Sequence, residues 1–459
     1  MKKQKKQAQD FNRRDFLKSS SLTSLAMMMS RVVLKGEDKA KAGGAPTEYK
    51  TTGAPVNCAV IGCGVWGREI LNTLSRLPNA PVVAICDSYA PFLRRAKESA
   101  SKAEAFADYQ KVLENKDVKA VLVATPSHQH REITLAALQA GKHVYCEAPL
   151  ANSVEDARAI ARAAQAAIHL NFQAGLSLRS DPQHHFLLQF LRAGAMGTTI
   201  KGRGQWQKKQ SWRRASPNPE REKELNWRLR TEDSLGLIGE IGIHQVDVAS
   251  WFIKARPVAV TGFGGLLHWN DGRDVPDTIQ AVFEYPGGVL FNYESTLANS
   301  FDADYEMFFG TDSAVMLRGN KAWMFKEVDS PLLGWEVYAR KDEFYKETGI
   351  ALVANATKLV AQGAKPVEDA PYTNTPLSYA MEAFIGNTDT HHSAVEDFSS
   401  SFDVSDRKAL KDYLDNVTKH NAPAAGYADG FEATVVAIKA NEAILARQRL
   451  TFEKGWFEV

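Results

Sequence analysis

The chain has 459 residues, 44% hydrophobic and 24% charged, enough for about two domains that each bury a core. Its formal charge of +2 is unevenly spread: residues 1–41 carry eleven Lys/Arg and four Asp/Glu, a net of +7, which leaves −5 for the remainder. A mildly acidic body gives no support to a nucleic-acid partner, and none is expected.

The basic excess reads as an address. A Lys-rich start leads to Asn12-Arg13-Arg14-Asp15-Phe16-Leu17-Lys18, which resembles the twin-arginine export motif. The apolar stretch that follows, Ser21 to Leu34, is interrupted by polar residues and is too short to span a membrane. Residues 1–41 are therefore expected to be a twin-arginine signal and leader, and 42–55 a linker. The protein is expected in the periplasm, with no membrane span. Cys58, Cys63, Cys86 and Cys146 form neither a disulfide framework nor C-x-x-C metal pairs. Four reduced thiols suit a chain that folds in the cytoplasm before export.

Residues 56–175 alternate strand and helix, with strands at 56–61, 81–86, 119–124, 142–146 and 169–174. Helical stretches lie at 67–77, 90–102, 108–115, 128–140 and 154–167, the last opened by the capping pattern Ser153-Val154-Glu155-Asp156. This alternation predicts a parallel sheet covered on both faces. The first strand runs into Gly62-Cys63-Gly64-Val65-Trp66-Gly67, a G-x-G-x-x-G loop opening a helix. In a dinucleotide site the first glycine makes the turn, the second admits the pyrophosphate, and the third lets helix and strand pack. The helix N-terminus then faces the phosphates. Asp87, 25 residues after Gly62, ends the second strand, where a ribose-binding carboxylate is expected. Such an acid repels a 2′-phosphate and favours NAD over NADP. Thr125-Pro126 and Glu147-Ala148-Pro149 end later strands, on the side where open α/β sheets bind ligands.

From 176 to 459 the pattern changes. A helix at 183–193 precedes alternating runs at 198–206, 257–266, 277–284, 288–295, 304–309 and 313–318, with a hairpin turn at Pro286-Gly287-Gly288. One helix, Glu240 to Phe252, interrupts them, 328–425 is less regular, and 427–447 is a C-terminal helix. The expected fold is α/β: an N-terminal Rossmann dinucleotide-binding domain (56–175), then an α/β substrate-binding and oligomerisation domain (176–459) with a largely antiparallel open sheet.

Together the Gly62–Gly67 loop, Asp87, Thr125-Pro126 with His130, Gly141-Lys142-His143-Val144, Glu147-x-Pro149 and the block around His244 resemble the glucose-fructose oxidoreductase / inositol dehydrogenase / rhizopine-catabolism (Gfo/Idh/MocA) family. The resemblance implies a nicotinamide cofactor, a sugar or polyol substrate, and a homo-oligomer, dimer or tetramer. It assigns Gly62, Cys63, Gly64, Val65, Trp66, Gly67, Asp87, Thr125, Pro126, His130 and Glu147 to the cofactor. Two positions depart from the family pattern. Ala148 stands where the family has a lysine that positions substrate and assists proton transfer, and Glu240 stands where it has an aspartate.

Glu240 and His244 are four apart on a predicted helix and share one face. From the residues alone, an ordinary i, i+4 pair is the simpler account. Register with the family makes His244 the proton acceptor or donor, oriented by Glu240. Trp227, Arg228, Gln173 and Arg179 are candidates for touching substrate, through stacking or hydrogen bonds, and Asp247, one turn after His244, is a candidate either for substrate contact or for a structural role. No metal site is expected, because the His pairs lack a third ligand. The expected function is NAD-dependent oxidation or reduction of a secondary hydroxyl on a sugar or glycoside. Two alternatives stand beside it: glycoside cleavage by transient oxidation and elimination, and a non-catalytic nucleotide or sugar binder.

Overall fold

The computed structural model describes residues 53–344, 347–352 and 374–459, so the expected signal (1–41) and most of the expected linker (42–55) lie outside the described residues. The first unit is a six-stranded sheet, parallel throughout. Its strands are β1 (Cys58–Ile61), β2 (Val82–Cys86), β3 (Glu104–Phe106), β4 (Ala120–Val123), β5 (His143–Cys146) and β6 (Phe172–Ala174), in the order β3-β2-β1-β4-β5-β6. β1, β4 and β5 are buried along their whole length, as unbroken apolar runs covered on both faces should be. The covering helices include α1 (Val65–Leu74), α2 (Ala90–Ala96), α3 (Tyr109–Glu114), α4 (His130–Gln139) and α5 (Val154–Ala166). α5 begins as its sequence predicts, with Ser153 Oγ accepting from the Asp156 N–H at 3.1 Å. β3 was not expected. Two of its three residues are exposed, so it carries no apolar run to reveal it.

The second unit carries helices α6 (Pro182–Arg192), α7 (Pro219–Leu225) and α8 (Ile243–Ile253). Its strands are β7 (Thr199–Gln207), β8 (Ala259–Gly265), β9 (Thr278–Glu284), β10 (Leu290–Thr296), β11 (Asp304–Gly310), β12 (Ser313–Arg318), β13 (Lys321–Lys326), β14 (Lys341–Phe344), β15 (Glu347–Ala351) and β16 (Leu450–Thr451). They form one sheet in the order β14-β15-β13-β12-β11-β7-β10-β9-β8-β16. Every pair is antiparallel except β7 with β10.

The stretch expected to be irregular instead holds α9 (Pro376–Ser401) and α10 (Arg407–Val417). Thr375 caps α9, its Oγ1 accepting from the Ser378 N–H, and Pro376 takes the first helical position. α9 returns to the first unit. Leu377, Ala380, Met381, Phe384 and Ile385 pack with Ile70, Leu71 and Tyr145 in one core. A fully buried side chain such as Phe384 contributes about 1.5–3 kcal/mol. The last helix, α11 (Tyr427–Ala446), joins both cores. Phe431, Val435 and Ile438 face the parallel sheet, while Val436, Ala440 and Ile444 face the antiparallel one. Apolar nearly all round, it is buried nearly all round and fixes the two units against each other.

Candidate active site

The glycine loop has the tight turn, the open middle position and the close helix packing that its spacing predicts. Gly62 has φ 94°, and a Cβ there would lie 2.6 Å from the Ala124 backbone. A Cβ at Gly67 would collide with the Gly62 carbonyl, so the third glycine lets α1 sit on the loop. A Cβ at Gly64 would stand in open space, which is the approach a pyrophosphate needs. Asp87 locks the loop to the end of β2: its Oδ2 accepts from the Cys63 N–H at 2.7 Å and its Oδ1 from the Tyr89 N–H at 2.8 Å. Burial raises the Asp87 pKa, and the two N–H groups work against that rise. Cys63 contributes through its backbone, because its thiol is buried.

These residues line a cleft of about 460 Å³ at the carboxyl ends of β1, β2 and β4. Gly62, Gly64, Val65, Trp66, Asp87, Thr125 and Pro126 all reach it, as do Trp227 and Arg228. Thr125 Oγ1 is buried there without a hydrogen-bond partner, ready for a ligand group. An open cradle at Gly64, a carboxylate at the end of β2 and an unpaired hydroxyl together fit a dinucleotide.

The cleft also has a wall that the sequence did not reveal. The segment after β7 crosses to the first unit and supplies Trp212 and Arg214. Arg228 lies over the Trp227 ring at 4.7 Å and near the Trp212 ring at 6.0 Å. Arg214 lies over the Phe92 ring at 5.8 Å, and Arg221 over Tyr89 at 5.7 Å. The only signal was a run rich in Arg and Trp, with no period to place it on a face.

Residues Ile238–Gly242 form a π-helix that runs into α8. It packs closely on β10: a Cβ at Gly242 would lie 2.8 Å from the Tyr293 ring. Such turns recur at functional sites. His244 opens α8 with Nδ1 sealed from solvent and unpartnered, and burial pushes its pKa down to about 4. The expected bond from Glu240 to His244 is absent. Glu240, 4% exposed, instead accepts from Ser127 Oγ at 3.1 Å and Ser234 Oγ at 3.3 Å, with Arg228 Nε 3.7 Å away. Three polar neighbours turn its carboxylate toward the end of β4. Burial raises its pKa, opposed by Arg228 and the two serines.

The other predicted residues divide. His130 does not line the cleft; it braces it, with Nδ1 2.9 Å from the Pro149 carbonyl and Nε2 2.9 Å from that of Thr125. The ring lies between the two strand ends, and whichever nitrogen carries the proton donates to one of the carbonyls. Glu147 is buried with Oε1 unpartnered, and burial carries its pKa up to about 7 against the Trp66 and Tyr145 side chains. Gln173 turns away from the expected substrate side and donates to the Ala380 carbonyl of α9 at 2.9 Å. Arg179 and Asp247 engage each other, with two bonds of 2.8 Å. Arg179 also lies over Trp251 at 4.9 Å and 3.5 Å from Asp429. The pair ties α8 to the N-terminal turn of α11. All four cysteines are free and buried. Among the described residues, no cluster of three or more His, Cys, Asp or Glu could hold a metal ion. None of the described helices is long and apolar enough to cross a membrane.

Two family models match this architecture. Residues 56–172 match the oxidoreductase family with an NAD-binding Rossmann fold, and 185–323 match the GFO/IDH/MocA C-terminal domain. The chain is 26% identical over 270 residues to levoglucosan dehydrogenase of Pseudarthrobacter phenanthrenivorans, covering 52% of this chain and 67% of that one. It is 30% identical over 250 residues to inositol 2-dehydrogenase of Rubrobacter xylanophilus, covering 53% and 65%. It is 25% identical over 269 residues to 2,7-anhydro-N-acetylneuraminate hydratase of Escherichia coli, covering 57% and 67%. The matched parts thus span about two thirds of those relatives. In fold it is similar to levoglucosan dehydrogenase in complex with NADH, with TM-score 0.64, 18% identity, and 87% and 99% of the two chains covered. An oxidoreductase domain protein from Kribbella flavida gives TM-score 0.65 at 20% identity, covering 87% and 100%. A glycine loop closed by an acid at the end of β2, and both matched domains in order, establish that the chain belongs to the Gfo/Idh/MocA oxidoreductase family.

Proposed function

We propose that this protein oxidises or reduces a secondary hydroxyl of a sugar, polyol or glycoside with NAD. The observation that carries the proposal is His244. It is a neutral imidazole with an unpartnered Nδ1, on a helix that Glu240 and Ser127 tie to the carboxyl end of β4. When bound, the nicotinamide takes or returns a hydride at the reacting carbon. His244 takes the hydroxyl proton as the alcohol becomes a carbonyl, and returns it in reverse. It is free to accept at any pH above about 4. Ala148 cannot share the proton, so His244 carries the transfer. Trp212 and Trp227 offer flat faces to a sugar ring, and Arg228 offers donors. The similarity to levoglucosan and inositol dehydrogenases supports this substrate class. Incubation with NAD and a sugar panel, with and without His244→Ala, tests it: no reduced nicotinamide from any sugar would end it.

Two observations favour a second reading, bond cleavage by transient oxidation and elimination. Ala148 removes the usual lysine, and one relative is named for a hydratase, a reaction without net redox change. Release of free sugar without net nicotinamide reduction would select it.

Export is part of the proposal. Arg13-Arg14 with Phe16-Leu17-Lys18 supports it, and retention in the cytoplasm only after R13K/R14K is the expected result. A homo-oligomer is proposed as well, supported by Phe263, Val282 and Leu290, which stand exposed on strands β8 to β10. Light scattering of the purified protein decides it; a monomer at working concentration would refute it.

A further inference from the structure

Resting on the dinucleotide proposal above, we infer that Arg214 and Arg68 form a phosphate clamp drawn from both units of the fold. The segment 211–228 then holds the dinucleotide in place between turnovers.

Arg214 lines the same cleft as Gly64 and Trp66, although it comes from the second unit. Its guanidinium rests over the Phe92 ring, and among the described residues no carboxylate pairs with it. Arg68 sits in α1 just after the glycine loop, and its Nη1 is buried with no hydrogen-bond partner. Arg228 differs, since Glu240 lies 3.7 Å from its Nε. Burial, then Arg228, Arg68 and Arg95, depress the Arg214 pKa, so Arg214 stands in the field of three further guanidiniums. A guanidinium in the cleft wall and an unpartnered one on the helix that opens at the glycine loop suit a phosphate, which accepts from both.

The backbone holds Arg214 deliberately. Buried Asn226 accepts from the Arg214 N–H at 2.7 Å and donates to its carbonyl at 3.0 Å. Buried Arg273 donates to the Ser211 carbonyl. Arg221 Nη2 donates to the Ser88 carbonyl at 3.3 Å and lies over Tyr89, so the segment is latched to the loop that follows Asp87. Cofactor release must break that latch or slide past it. Asp87 stands at the ribose edge and repels a 2′-phosphate, so the clamped group is the pyrophosphate.

The test is calorimetry and stopped-flow dissociation on the full chain stripped of nucleotide, with NADH, NADPH, ADP-ribose and adenosine as probes. Arg214→Gln is expected to weaken NADH and ADP-ribose by about tenfold or more and to speed NADH release, while adenosine affinity changes less than about twofold. Arg214→Lys should recover part of the loss, and Arg221→Gln should speed release. Unchanged NADH affinity and release in Arg214→Gln would overturn the clamp. So would an equal loss for adenosine, or a loss confined to NADPH. A wild type that binds no NADH would overturn the dinucleotide proposal, and the clamp with it.

Discussion

Ser127 Oγ donates to Glu240 Oε1 at 3.1 Å, across 113 residues of chain. This bond joins the carboxyl end of the parallel sheet to the π-helix that precedes His244. Glu240 therefore positions the helix, and it does so without touching the imidazole. Glu240→Gln keeps the shape and drops the charge that Arg228 approaches. It should lower kcat about tenfold, with KM for NAD little changed and no shift in the acid limb of the pH profile. A shifted acid limb would restore Glu240 as the direct partner of His244.

His244 sets that acid limb. With its pKa near 4, kcat/KM for alcohol oxidation should stay level from neutral pH to about 5 and fall below that. An acid limb centred near 6.5 would mean an ordinary, solvated imidazole. His244→Ala should lower kcat by about a hundredfold or more and leave NADH affinity intact.

Glu147 should make stability depend on pH. Its native pKa of about 7 lies above the unfolded value, so its contribution is full below pH 4.5 and is lost as pH rises through 7. Glu147→Gln removes the buried ionisation. The variant should melt higher than wild type at pH 8, by on the order of 2–3 kcal/mol of stability, and show no such gain at pH 4.5. A gain of equal size at both pH values would contradict the burial argument.

Histidines pull in opposite directions. Burial lowers the pKa of His130 to about 4 and of His143 to about 3, so each resists protons that the unfolded chain accepts below about 6.5. Stability should fall as pH drops from 6.5 toward 4. His184 is the reverse. Burial works against its charge, yet Asp181 at 2.6 Å and Glu306 at 3.4 Å carry its pKa up to about 9. Its stabilisation is full below pH 6.5 and is lost as pH rises through 9. Thermal melts of wild type and His184→Gln should therefore converge between pH 6.5 and 9.5; a constant gap would refute the charged triad.

Much of this was legible in the chain. Apolar runs such as Ala120–Val123 announce buried strands, and the three glycines announce the turn, because each has one dominant physical cause. α9 was missed because Asn387, Thr388, Ser393 and the serines near its end blur its period, although Thr375-Pro376 is a sound start signal. At the site, Trp227 and Arg228 were found beside a motif. Trp212, Arg214 and Ser127 were not, since contacts across units leave no local pattern. Asp247, Arg179 and Gln173 were candidates for substrate contact, Asp247 equally for a structural role, and in the structure their hydrogen bonds join separate elements. Spacing gave the helical neighbours of Glu240; it could not show that two serines and an arginine compete for its carboxylate.

The most direct measurement is turnover of the purified full chain with NAD, offered levoglucosan, inositol and a panel of glycosides, following reduced nicotinamide and sugar products together. The account predicts a keto product formed in step with reduced nicotinamide, abolished in His244→Ala while that variant still binds NADH. Free sugar released without net reduction, or turnover that survives the loss of His244, would contradict it.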